Sequence, residues 1–337
     1  MRSTLRKGAV AVLAGASAIL SLALGGTAVA DPNLNNAGQS LPGFLPDSND
    51  VVGTGSDTTQ YVINTAAQSQ AASNPSVRIA SFNAFKPGTE SAPVTGDTIT
   101  IRTPSTTIAR PNGSSAGINQ LISTSTLDYA RSSRFRDATK PAEADLYFIP
   151  VLTDGLSYVT HKSTVATDPI RNLDATELAA IYRCTVTTYH PKLPQAGSGT
   201  RSYFLAQIGV TEAEVGTCVD KNVQEHDPAP VASDPLAIAP FSTARYSTNP
   251  VNTSNPPSNT VTIAATAPTA GVFYVERTVY NVVRKAEYDI AGSRLPAIFG
   301  PDVAGSTNSG GYFCDRFANS GSARQGFKIA ANCGAKL

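Results

Sequence analysis

An α/β protein of two lobes is what this sequence predicts, on three observations. Residues 50–52 read as a short strand, Gly53-Thr54-Gly55-Ser56-Asp57-Thr58-Thr59 follows as a small-residue turn, and Val62, Ile63, Ala66 and Ala67 then recur at helical spacing. The pattern repeats at residues 98–122, where alternating Thr and Ile lead through Gly113-Ser114-Ser115-Ala116-Gly117 to Ile118, Leu121 and Ile122. The chain of 337 residues, 41% hydrophobic and 15% charged, is also long enough for two lobes that each bury a core.

The first residues stand apart from the fold. Arg2, Arg6 and Lys7 precede an uncharged run over 9–24, and Ala28-Val29-Ala30 has the form of a small-residue cleavage site. This reads as a signal peptide over 1–30, cleaved near Ala30, which sends the chain to the periplasm or the exterior. An uncleaved membrane anchor is the rival, but the run is rich in Ala, Gly and Ser and no second long apolar stretch follows. The first cysteine is Cys184, so no lipid-modified cysteine is expected beside the cleavage point. Removing residues 1–30 leaves 23 Lys plus Arg against 25 Asp plus Glu, and the formal charge moves from +1 to −2. A nucleic-acid binder, which needs a basic face, is not expected.

Cys184, Cys218, Cys314 and Cys333 fall in two local groups, and in an exported chain two disulfides are the expected use. Three connectivities are open, with 184 to 218 and 314 to 333 preferred on proximity. No Cys-x-x-Cys or His-x-x-x-His spacing supports a metal site, so neither a metal nor a cofactor is expected.

Taken in order, residues 31–49 are a polar, Pro- and Gly-rich leader. Residues 50–152 form the first part of lobe 1, 153–271 lobe 2, and 272–337 the return to lobe 1. Leu127-Asp128-Tyr129-Ala130 reads as a strand, and Arg131-Ser132-Ser133-Arg134 stands at its C-terminal end, where open α/β sheets hold ligands. Residues 146–151 are a buried strand that passes between lobes, and 156–160 read as strand again. Asp174 to Glu177 opens a helix bearing Leu178, Ile181 and Tyr182. Gly197-Ser198-Gly199-Thr200 then starts a helix with Arg201, Phe204 and Ile208, and residues 210–214 look like another helix start. Residues 237–241 are a short strand, 245–260 an exposed loop, and 272–275 and 279–283 strand again. Cys314 and Cys333 staple the end.

Three functions compete. Turns rich in Ser, Thr and Gly at helix starts offer hydroxyls and unpaired N–H groups to an oxyanion, with arginine adding charge, and this describes a solute receptor. The bland reading is that such residues merely make turns and caps. A serine hydrolase is the alternative, because Gly113 to Gly117 satisfies G-x-S-x-G with Ser115 as nucleophile and His161, His190 or His226 as base. Pro111 and Asn112 before it speak for a loop rather than a strand. An adhesive surface protein, suggested by the Thr, Ser and Asn content, would lack the helical runs.

The turns at 53–59, 110–117, 128–132, 148–150, 173–182, 197–201 with Phe204, and 237–238 resemble, in order, the phosphate-binding proteins of phosphate ABC transporters. The resemblance implies a type II periplasmic-binding-protein fold, two α/β lobes joined by two hinge crossings that close on a ligand. It implies a receptor without enzymatic activity, a monomer, that delivers phosphate or a similar oxyanion to an ABC permease. It places ligand contacts at Asp57 and Thr58, at Ser114 or Ser115, and at Ser198, Gly199 and Thr200, and Ser56 is expected to join them from the first turn. Pro194 stands where the family has an arginine, and Ser133 where it has a proton-accepting aspartate. Arg131, Arg134 or Arg201 is expected to replace the cation, Asp57 the acceptor, and Ser132 and Ser133 to line the same end.

Overall fold

The computed structural model describes residues 45–73, 78–86, 89, 96–103, 106–248, 256–301 and 311–337. The signal peptide, most of the leader and residues 249–255 of the expected loop lie outside them.

The chain runs β1 (Val51–Gly55), α1 (Gln60–Ser73), β2 (Ile79–Ser81), β3 (Thr98–Arg102), β4 (Thr106–Ala109), α2 (Ser114–Ser123) and β5 (Tyr129–Ser132). It continues with β6 (Leu146–His161), α3 (Ala175–Tyr182), β7 (His190–Pro194), α4 (Gly199–Gln207), β8 (Asp220–Val223), α5 (Ala229–Ala232), β9 (Ala237–Ser242) and α6 (Thr243–Ser247). The last elements are β10 (Val261–Ile263), β11 (Val275–Arg284), α7 (Lys285–Tyr288), α8 (Leu295–Phe299), α9 (Tyr312–Asn319) and β12 (Lys328–Ile329).

The main sheet has the order β2-β1-β5-β11-β6-β9-β7-β8, with β10 and β12 also on β6. β1 pairs parallel with β2 and β5 at one end, and β7 parallel with β8 and β9 at the other. Between them β6 and β11 run antiparallel and cross the whole molecule. Their apolar residues divide along their length. Ile149, Val151 and Leu152 pack with Val62, Ile63, Phe299, Phe313 and Phe317, whereas Leu156 and Tyr158 pack with Leu178, Tyr182, Phe204 and Phe273. Two cores on one continuous pair of strands make the two lobes.

Residues 146–151 and 156–160, read separately in the sequence, belong to one strand. Pro150 sits inside it, where a central ladder does not tolerate a missing N–H. A register shift resolves the conflict: Val279 lies opposite Leu152 and Tyr280 opposite Pro150, so Val151 is bulged out of the pairing with β11.

The strand expected at 98–102 is formed as β3 and pairs with β4 in a separate two-stranded ribbon. Its alternation buries Ile99 and Ile101 against Ile118 and Leu121, and β4 supplies the hydrogen bonds that the sheet does not. The helix start read at 210–214 is present, but as a single 3-10 turn, Glu212–Glu214, closed by a Thr211–Glu214 capping box. The chain is drawn back there by the Gly216 N–H on the Tyr182 carbonyl and by the Cys184–Cys218 bridge. The second bridge joins Cys314 to Cys333, so both pairings are the local ones. The helix opened by Asp174 is α3, and its capping box with Glu177 is formed.

Candidate functional site

Three helix starts meet where the lobes touch. β1 ends at Gly55 and delivers Ser56, Asp57 and Thr58 to the head of α1. Gly55 has φ +117°, and a Cβ there would lie 2.5 Å from the Arg131 carbonyl oxygen, so only glycine allows this turn. Ser114 opens α2 and Gly199 opens α4, where the Ser198 hydroxyl caps the Arg201 N–H at 3.0 Å.

Contacts across the interface are close. Thr58 Oγ1 lies 3.3 Å from Thr200 Oγ1, and the Ser115 N–H donates to the Gly197 carbonyl at 3.0 Å. A Cβ built on Gly199 would stand 2.3 Å from the hydroxyl oxygens of Ser114 and Ser133. Beside this contact Asn112 forms an amide clasp, accepting from Gln195 at 3.0 Å and donating to Gln224 at 3.0 Å.

A buried charged layer lies against the three helix starts. Arg277 on β11 donates through Nε and Nη2 to Asp154 Oδ2 on β6, at 3.1 and 2.9 Å, and Nη2 also lies 3.4 Å from Thr58 Oγ1. Ser242 donates to the other Asp154 oxygen at 2.6 Å. Burial pushes the Asp154 carboxyl up while Arg277 pulls it down. The Thr58 hydroxyl donates to Glu225 Oε1 at 3.0 Å, and the Thr200 N–H reaches the same oxygen at 3.3 Å. Arg245 lies over the Tyr61 ring, 4.2 Å from its centre, with Nη2 3.8 Å from Asp57.

His226 completes the layer. Burial, and then Arg245 and Arg277, hold its pKa well below the ordinary histidine value, so the ring is neutral at physiological pH. Its Nδ1 accepts the Ser242 N–H at 3.4 Å, which leaves the proton on Nε2, 3.1 Å from Thr58 Oγ1. Its backbone has φ +60°, a conformation uncommon outside glycine and asparagine.

The structure thus brings together Thr58, Ser114, Ser133, Gly199 and Thr200, with Asp57 next in the chain. The arginines expected to bring charge there are each bonded to protein groups, Arg134 among them to Ser115. Arg131 donates to Ser81 Oγ at 2.7 Å and to the carbonyls of Ser56 and Gly55. Arg134 is forked onto Glu143 and donates to Ser115 Oγ at 3.0 Å. Arg201 is forked onto Glu212 and donates to the Pro194 carbonyl at 2.9 Å. Each guanidinium bonds a carboxylate or carbonyl in its own lobe, while Arg277 and Arg245 lie beside Thr58 and Asp57. Ser132 bonds the backbone of Arg134, Ser198 is a cap, and Ser56 is buried beneath the turn.

Arg277, Asp154, Glu225 and Arg245 are not singled out from the sequence, and His226 is singled out only as a possible base for the hydrolase reading. A signal for one of them is present: Asp154 is a charged residue inside a largely apolar strand run, where burial demands a partner, whereas Arg277 is flanked by Glu276 and Thr278. Glu225, His226 and Arg245 sit in loop and helix-end sequence without any such mark.

Among the described residues no histidine bonds the Ser115 hydroxyl. Ser115 Oγ accepts from Arg134, while His161 bonds Ser163, His190 bonds Asp234 and His226 faces Thr58. β4 ends at Ala109, so no strand runs into Ser115. Among the described residues no group of three His, Cys, Asp or Glu side chains could hold a metal ion, and no helix is long and apolar enough to cross a membrane.

The fold is the two-lobe α/β fold of type II periplasmic binding proteins. It resembles the crystal structure of a putative phosphate ABC transporter substrate-binding protein with bound phosphate from Clostridium perfringens. That match has a TM-score of 0.55 and 17% identity, over 84% of this chain and 100% of that one. An ABC-type phosphate transport receptor from Vibrio cholerae matches with TM-score 0.46 and 17% identity over 72% of this chain and 89% of that one. The CcmR regulatory domain from Synechocystis matches with TM-score 0.42 and 13% identity over 72% and 88%. No family model matches the sequence, and no curated protein sequence matches it either.

Proposed function

We propose that the chain is an exported receptor that takes phosphate or a similar oxyanion between its lobes and hands it, chemically unchanged, to an ABC permease. The observation that carries this is the convergence of three helix N-termini, at Thr58, Ser114 and Gly199, on one buried interface. Helix starts present unpaired N–H groups and the positive end of the helix dipole, and an anion between them satisfies both. Asp57, Thr58, Ser114, Ser115, Ser198, Gly199 and Thr200 form the cradle in this reading, with Arg277 and Arg245 as its cations. The phosphate named with the Clostridium perfringens structure supports the same ligand class.

Export rests on the N-terminal signal pattern and on two disulfides, which persist in oxidising compartments. The crossing of both lobes by β6 and β11 supplies a hinge. Calorimetry of the purified chain with phosphate and with sulfate tests the reading. Saturable one-to-one binding of either anion is expected, weakened in Thr58→Val; no heat from either overturns it.

A further inference from the structure

We infer that Asn112 is the latch of the cleft: its side-chain amide holds the two lobes together over the anion and sets how slowly the anion leaves. The inference rests on the receptor reading above. Asn112 stands in lobe 1, bridged to Gly55 beside the turn that carries Asp57 and Thr58, and two residues before Ser114 at the head of α2. Its own backbone is anchored. Pro111 precedes it, and Arg110 before that is paired with Asp97 and donates to the Asn83 carbonyl at 3.2 Å.

The partners of the amide belong to lobe 2. Asn112 and Gln224 pair reciprocally, Asn112 Nδ2 donating to Gln224 Oε1 at 3.0 Å and Gln224 Nε2 donating back to Asn112 Oδ1 at 3.3 Å. Gln195 Nε2 gives the same Oδ1 a third bond at 3.0 Å. Gln195 and Gln224 follow directly on β7 and β8, and backbone and side chain tie those two strand ends into one piece. The Gln195 N–H donates to the Val223 carbonyl at 3.0 Å, and Gln195 Oε1 accepts the Glu225 N–H at 3.0 Å. Glu225 in turn accepts from the Thr58 hydroxyl and the Thr200 N–H, so the clasp is continuous with the wall that meets the cradle.

In the receptor reading the lobes part to let the anion out, and the three bonds on Asn112 break in that one step. Each amide bond is modest alone because water replaces it, but bonds that share one side chain are lost together. The three amides carry no charge, so they neither draw in nor repel an approaching anion. The latch therefore acts on release rather than on capture.

The probe is radiolabelled phosphate or sulfate, whichever the wild-type chain binds in calorimetry. Its release into an excess of the unlabelled anion gives the dissociation rate, and that rate divided by Kd gives the rate of capture. Asn112→Ala is expected to release the anion about tenfold faster than wild type at an unchanged capture rate, and Gln224→Ala to act in the same direction. Circular dichroism and urea midpoints check the fold of each variant. Because the two side chains make one clasp from opposite lobes, the double variant is expected to release the anion within about threefold of Asn112→Ala. Release at the wild-type rate by either single variant, effects that multiply in the double variant, or a change confined to capture overturns the inference and leaves the receptor reading intact. Binding of neither anion by the wild-type chain overturns the receptor reading, and the inference with it.

Discussion

Arg277 and Asp154 stand directly opposite each other on the two strands that join the lobes, paired in register and by two hydrogen bonds, at 2% and 1% exposure. The same guanidinium reaches Thr58 at the head of α1. Removing one member leaves an uncompensated buried charge. Asp154→Ala is expected to cost about 3–5 kcal/mol of unfolding free energy, measured by urea denaturation, and replacing both residues to cost less than the sum of the singles. Additive costs in the double mutant would mean that the two charges do not depend on each other.

Gly199 controls how closely the lobes approach. A methyl group there would stand 2.3 Å from the Ser114 and Ser133 hydroxyl oxygens of the other lobe. Gly199→Ala is expected to hold the lobes apart, raising the radius of gyration in solution scattering and weakening anion binding by about tenfold or more, in line with overpacking costs of about 1–3 kcal/mol. An unchanged scattering profile in the presence of anion contradicts this.

His226 makes stability depend on pH. In the unfolded chain a histidine takes a proton near pH 6.5, whereas burial and two arginines keep the folded ring neutral well below that. The unfolded state therefore binds more protons in this window, and stability is complete above pH 6.5. It falls as the pH drops, by up to about 1.4 kcal/mol per unit, until the buried ring itself protonates. Melting temperatures between pH 7.5 and 5 follow the effect. His226→Asn, which tolerates the positive φ, is expected to flatten the acid limb.

The Cys314–Cys333 bridge closes a loop with a sequence separation of 19 beside the core residues Phe313 and Phe317. Replacing both cysteines by serine is expected to cost about 3 kcal/mol through loop-closure entropy, read from urea midpoints at unchanged slope. A cost near zero would show that packing alone orders this end.

Much of the fold was open to reading in the chain, and for a local reason. Helices, strands and turns follow the spacing of apolar residues and the chemistry of Gly, Ser, Thr and Asp over stretches of about ten residues, so α1, α2, α3 and α4 and their caps stand where the patterns put them. What distant partners decide is left open by the chain: the helix at Glu212 is only one turn long, where Tyr182 and Cys184 draw the chain back.

The sequence by itself determined that three anion-inviting turns exist, at Thr58, Ser114 and Gly199, because each depends only on its neighbours in the chain. Tertiary structure alone decided which charges face them. Arg131, Arg134 and Arg201 lie close to those turns in the sequence yet pair within their own lobes, while Arg277, 219 residues from Thr58, arrives beside it. Charge pairing inside a protein is settled by distance and burial after folding, and neither can be read along the chain.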